Sequence, residues 1–176
     1  MKNVYKGFIS QIDANKSKNQ LIDDIARLLK IKIKSNSPRK PPRVLLFGMR
    51  GSGRKSQAAK IADKFGLVYV STSNIIKAEI SKKEKLGQEI ASYTLKGEMV
   101  PDEIVANLVE RRLRQTDCQV NGWILTGFPA TENQITLFNS MKFAPSSIIV
   151  LEIDESISYE RIEGIRVDPT TGVLII

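Results

Sequence analysis

The ten residues from Gly48 to Gln57, Gly-Met-Arg-Gly-Ser-Gly-Arg-Lys-Ser-Gln, have the types and spacing from which phosphate chemistry can be built. Gly48-x4-Gly53 is the spacing of a phosphate loop, in which glycines let the backbone turn tightly and point successive N–H groups into one concavity. Gly51, Ser52, Gly53, Arg54, Lys55 and Ser56 are the candidate residues for cradling a phosphate chain, and Arg54 and Lys55 are the candidate catalytic cations. The order departs from the usual motif. Arg54 stands where lysine is expected, Lys55 takes the Ser/Thr place, and the hydroxyl follows one residue later at Ser56. Apolar Val44 to Phe47 run into the loop, and a helical pattern beginning near Lys55 follows it, so a helix N-terminus adds its positive dipole end behind the glycines. The competing reading is an ordinary glycine-rich turn between strand and helix.

Composition removes several other chemistries. With no His there is no Ser-His-Asp triad and no His-based general base. With Cys118 alone there is no internal disulfide and no Cys/His metal cluster, so no metal ligands are expected. An apolar fraction of 41% and a charged fraction of 26% are those of an ordinary soluble globular protein. No apolar run is long enough to span a bilayer, and the first residues lack a signal-peptide core, so no membrane partner and a cytoplasmic location are expected. The net charge of +8 invites a nucleic-acid reading, but residues 1–40 carry ten Lys/Arg against three Asp, and residues 41–176 seventeen against sixteen. The excess lies around a linker at Lys30, Lys32, Lys34, Arg39 and Lys40, and no nucleic-acid partner is expected.

Positioning the loop requires a sheet. A strand is expected from Tyr5 to Ile12 and a helix from Ser17 to Leu29, with Leu21, Ile22, Ile25, Leu28 and Leu29 at the helical period. Polar, proline-rich Ser35 to Pro42 is the best domain boundary. It divides a segment at 1–35, a linker at 36–42 and a unit at 43–176. Beyond it, strands are expected at 44–47, 67–70, 123–126 and 147–153. Helices are expected from Lys55 to Phe65 (burying Ala58, Ala59, Ile61, Ala62 and Phe65), after a Ser71-Thr72-Ser73 cap, from Leu86 to Leu95, from Pro101 to Leu113, from Glu132 to Met141, and near Ser156 to Arg161. Alternating strands and helices with doubly buried apolar runs predict an α/β P-loop mononucleotide-binding fold, a parallel sheet with helices on both faces. Ligands of such sheets bind beyond the carboxyl ends of the strands. Gly48, Ser71 and Gly127 all fall there.

In this order the motifs resemble the adenylate kinase family of nucleoside monophosphate kinases over about residues 43–172. Gly48 to Gln57 is similar to its phosphate loop, and Ser71-Thr72-Ser73-Asn74-Ile75-Ile76-Lys77 to its monophosphate-binding helix start. Gly97-Glu98-Met99-Val100-Pro101-Asp102 resembles the turn that holds ribose and base. Gly122-Trp123-Ile124-Leu125-Thr126-Gly127-Phe128-Pro129 with Gln134 resembles the part that reads the acceptor nucleotide. Arg161 to Pro169 resembles the approach to the mobile lid. The resemblance implies ATP and Mg2+ as cofactors and AMP or a related monophosphate as substrate. It implies Arg161 against the ATP adenine, and Thr72, Lys77, Glu98, Met99, Val100, Gly127 and Gln134 around the acceptor. Details such as Pro42-Arg43-Val44-Leu45-Leu46 and Asp117-Cys118 are similar to the family's two-kinase-domain ciliary branch, which implies a cytoplasmic or axonemal setting.

The departures from the family pattern are substitutions of charge. Lys77 and Ala130 stand at arginines, Ile165 at a lid arginine, and Thr126 at an aspartate that helps hold the metal's water. Losing one preorganised charge contact typically costs ~3 kcal/mol of transition-state stabilisation, or ~100-fold in rate. Impaired transfer is therefore expected, with a non-catalytic nucleotide-binding or architectural module as the alternative. The motif order also implies that residues 1–35 are the tail of a preceding kinase domain and 43–176 the first part of a second, its lid truncated. The tail would then fill a vacant sheet position, with Phe8 to Ile12 parallel beside the loop-bearing strand.

Overall fold

The structure, a computed structural model, describes residues 9–31, 40–163, 166–167 and 174–175. Expectations for Tyr5 to Phe8, most of the linker, Ile165 and the 168–173 segment lie outside these residues, as do the side chains of Leu29 and Arg166.

In chain order the elements are β1 (Ile9–Asp13), α1 (Lys18–Ile31), β2 (Arg43–Gly48), α2 (Arg54–Phe65), β3 (Val68–Ser71), α3 (Thr72–Ser81), α4 (Lys85–Leu95), α5 (Asp102–Leu113), α6 (Thr116–Asn121), β4 (Trp123–Thr126), α7 (Glu132–Ser140), β5 (Ser147–Glu152), α8 (Glu155–Glu163), β6 (Arg166–Val167) and β7 (Leu174–Ile175). Five strands form one sheet in the order β1-β5-β2-β4-β3, with every pairing parallel.

The central strand shows why the sheet is covered twice. Val44, Leu45 and Leu46 are consecutive and all buried, although neighbouring strand residues point to opposite faces. On one face Val44 and Leu46 join Leu21 and Ile25 of α1, and Ala58 and Ile61 of α2. On the other, Leu45 joins Val105 and Val109 of α5, Phe138 of α7, and Trp123. Trp123 and Phe128 each meet the Phe138 ring edge-on, a preferred aromatic geometry. Gly122 closes α6 with φ 80° and ψ −177°. A Cβ there would lie 2.2 Å from the Pro42 carbonyl oxygen, so only glycine lets the start of β2 pass this closely.

Three expectations change. The first strand is parallel and in the sheet, but it pairs with β5, Ile12 opposite Leu151, and not with the loop-bearing strand. The reason is that β2 already spends both edges on β4 and β5, leaving the outer edge of β5. Leu21 and Ile25 are buried on the sheet as expected, with Leu28 packed against them. Ala59 is exposed, because α2 turns Ala58, Ile61 and Ala62 inward. Ser71 occupies the N-cap of α3 without a capping side-chain bond. Two features went unread: the short polar helix α6, and an antiparallel pairing of Arg166–Val167 with Leu174–Ile175.

Helix α3 is tied to α5 by Glu79, 3% exposed, which accepts from Lys82 Nζ at 2.8 Å and Arg111 Nη2 at 2.6 Å. The Lys82 hydrogen bond, opposed by burial and aided by the Arg111 hydrogen bond, holds this carboxyl below its ordinary value. A carboxyl depressed on folding stabilises the fold above its unfolded pKa, and that contribution is lost as pH falls through the folded pKa. Thermal unfolding followed from neutral pH into acid should therefore show a stability gap between wild type and Glu79→Gln that is widest near neutrality. The gap should close below the ordinary value of 4.5. A gap independent of pH would contradict the assignment.

Candidate functional site

The sheet order sets β2, β4 and β3 side by side, with Leu46 opposite Thr126 and Thr126 opposite Ser71. Their carboxyl ends therefore bring Gly48, Thr72 and Gly127 to one rim. Thr72, buried, donates its Oγ1 hydrogen to the Thr126 carbonyl at 3.1 Å. A Cβ on Gly127 would come within 3.3 Å of that same hydroxyl oxygen. The expected convergence of three motifs is present.

The loop is braced from inside and from behind. Ser52, buried, donates from Oγ to the Met49 carbonyl at 2.8 Å, and Gln57 N–H bonds the Gly53 carbonyl at 2.9 Å as α2 begins. A Cβ on Gly48 would strike Ser52 Oγ at 2.6 Å and the Leu151 carbonyl oxygen at 2.9 Å, which explains glycine at the strand end. Helix α8 grips the loop's carbonyls: Ser158 Oγ donates to Arg50 O at 2.6 Å, and Arg161 Nη1 donates to Gly51 O at 3.1 Å. Those bonds turn the carbonyls of residues 50 and 51 toward α8. Ser158→Ala would leave a loop carbonyl without this partner, a loss of about 1 kcal/mol. In a domain of this size that lowers Tm by roughly 2–4 °C in a thermal melt, and an unchanged Tm would refute the brace.

Arg54 is half-buried, whereas Lys55 and Ser56 at the same helix start are exposed. Burial, reinforced by the neighbouring Arg50 charge, pushes the Arg54 guanidinium below its ordinary value, and Tyr69 acts in the opposite direction. Tyr69 Oη lies 3.3 Å from Thr126 Oγ1 at the end of β4.

On the acceptor side, Lys77 is exposed on α3, Glu98 and Met99 are exposed in the α4–α5 connection, and Val100 packs partly into the core. Gln134 is buried and fully engaged. Its Oε1 accepts from Ala130 N at 2.7 Å, and its Nε2 donates to Asp102 Oδ1 at 2.6 Å. Asp102 also accepts from Thr131 Oγ1 at 2.8 Å, the leading cause of its lowered pKa. Asp102 thus organises the 127–134 segment, and Ser158 holds the loop. Sequence marks Asp102 only as the end of the Gly97-to-Asp102 turn and gives Ser158 no role, although Asp102 opens a helix and Ser158 sits one turn before Arg161. Beyond β1, β5 and β2 a cleft of about 840 Å³ adjoins the loop, bounded by Gly48, Met49, Asp13, Asn15, Glu152 and Asp154.

For a divalent ion the donor set is poor. Residues 48–57 contain no carboxylate. Among the described residues no three acidic or thiol side chains converge to hold a metal. The residues present do not fit a protein-held Mg2+ site.

A family profile described as adenylate kinase matches residues 46–173, a span that runs from the loop-bearing strand through α8. The chain belongs to the adenylate kinase family. Among similar proteins, "Adenylate kinase, chloroplastic" of Zea mays is 36% identical over 132 residues, 75% of this chain and 60% of that protein. "Adenylate kinase 8" of Danio rerio is 32% identical over 172 residues, 98% of this chain and 35% of that one. "Adenylate kinase" of Clostridium perfringens is 37% identical over 136 residues, 75% and 62% respectively. The chain thus spans less than two thirds of each of these family members. Its five-stranded parallel sheet, with the phosphate loop leaving the central strand, is the α/β scaffold of a P-loop nucleoside monophosphate kinase. No helix among the described residues is long and apolar enough to cross a membrane.

Proposed function

We propose that this chain is the nucleotide-binding unit of a nucleoside monophosphate kinase. ATP phosphates lie on the N–H groups of Gly51 to Ser56, and AMP or a related monophosphate lies against Thr72, Lys77, Glu98 to Val100 and Gly127. The observation that carries this reading is the rim itself: the phosphate loop, Thr72 and Gly127 stand side by side at adjacent strand ends. Arg54 and Lys55 neutralise charge on the transferred phosphoryl group, which passes in line from ATP to an oxygen of the monophosphate. Positioning and positive charge supply the catalysis. Gln134, held by Ala130 and Asp102, acts by shaping the loop after β4. Mg2+ normally accompanies ATP in solution. Residues 1–35 are the tail of a preceding kinase domain and 43–176 the first part of a second in a longer parent chain, a reading supported by the match to the Danio rerio protein over 98% of this chain and 35% of that one.

A coupled assay of ADP formation from ATP and AMP tests transfer. Turnover above background, weakened by Lys77→Ala, is expected. The second reading, a nucleotide-binding module without transfer, is favoured by one observation: Ala130 places no charge at the rim, and its N–H is taken by Gln134. Background turnover with ATP still bound would establish that reading instead.

A further inference from the structure

The charges on the loop segment itself are one-sided. Arg50, Arg54 and Lys55 lie within six residues, the first turn of α2 contains no acid, and residues 48–57 contain none. Among the described residues none of these three cations enters an ion pair. The helix N-terminus adds further positive potential. Half-burying Arg54 beside Arg50 without a counter-charge is costly, and an anion in the loop would relieve that cost.

The loop itself offers no carboxylate to a metal, and among the described residues no three acidic or thiol side chains converge. Mg2+ requires near-octahedral oxygen ligands and is usually held by one or two carboxylates together with substrate phosphates. At the end of β4 stands Thr126, whose hydroxyl faces Tyr69 Oη at 3.3 Å. Asp13, Glu152, Asp154 and Glu155 line the cleft beyond β1, β5 and β2 that meets the loop at Gly48 and Met49, whereas Thr126 lies across β2 on its opposite side, next to Tyr69. A divalent ion on the phosphates removes two of their negative charges, and with them part of their attraction to a cation-rich loop.

Resting on the nucleotide-binding reading above, we infer that this loop takes the metal-free form of a nucleoside triphosphate, and free polyphosphates generally, with Arg50, Arg54 and Lys55 standing in for the divalent ion. Binding does not require Mg2+ and weakens when the ion complexes the ligand.

Calorimetric titration of the whole chain with ATP in EDTA, with ATP in excess Mg2+, and with inorganic tripolyphosphate in EDTA decides it. The expected result is a Kd for ATP several-fold lower in EDTA than in Mg2+, together with measurable tripolyphosphate binding. In the double variant Arg50→Ala/Arg54→Ala the EDTA affinity should fall by about tenfold or more, and the difference between the two conditions should shrink. An affinity that rises with Mg2+ would overturn the inference while leaving the nucleotide-binding reading intact. ATP binding with tripolyphosphate silent would overturn its extension to polyphosphates. ATP binding in neither condition would overturn both readings.

Discussion

Replacing Ile25 by alanine should lower the unfolding free energy by about 2–5 kcal/mol, a fall in Tm on the order of 10 °C. Ile25 is 0% exposed on α1 and shares one core cluster with Val44 and Leu46 of β2, Ile61 of α2, and Ile149 and Leu151 of β5. Truncation removes the transfer energy of the buried side chain and leaves a cavity that its neighbours, fixed in a sheet and a second helix, fill only in part. Scanning calorimetry should show one transition that shifts as a whole, with exposed Arg27→Ala as a control close to wild type. Were residues 9–31 an appendage, Ile25→Ala would leave the main transition in place.

The second large effect is on chemistry. Arg54→Ala should reduce kcat/KM for ADP formation by ~100-fold, the usual scale for deleting one preorganised charge contact. Arg54→Lys should retain most of the rate, because the charge stays at the loop and a compact ammonium fits it at least as well as a planar fork. Stability should move the other way. Arg54 is half-buried, pushed below its ordinary value by burial and by Arg50, and pairs with no acid among the described residues. Removing it relieves repulsion, so Tm should hold or rise. A variant that loses stability in step with activity would mean that Arg54 serves the fold and not the phosphate.

The scaffold was legible because its signals are local. Val44 to Phe47 read as a doubly buried strand, Gly48-x4-Gly53 marked the loop, and Gly48, Ser71 and Gly127 were each expected at a strand's carboxyl end, where the sheet order does place them together. What could not be read is set by tertiary competition. Periodicity marks a strand near Ile12 but does not choose its neighbour, and that choice followed from both edges of β2 being taken. Ala59 and Ala58 are chemically alike, so only the phase of α2 against the sheet decides which is buried. The braces from Ser158 and Arg161 join atoms more than a hundred residues apart. Gln134 carries no mark in sequence that both ends of its amide are bonded within the fold.

The central claim, that the loop leaving β2 is a phosphate-binding site, is tested most directly by following backbone amide resonances of the whole chain by two-dimensional NMR while ATP is added. Saturable shifts are predicted to be largest at Gly51, Ser52, Gly53, Arg54, Lys55 and Ser56, whose N–H groups would meet the phosphates. Shifts absent from these amides at saturating ATP, or concentrated elsewhere in the fold, would contradict it.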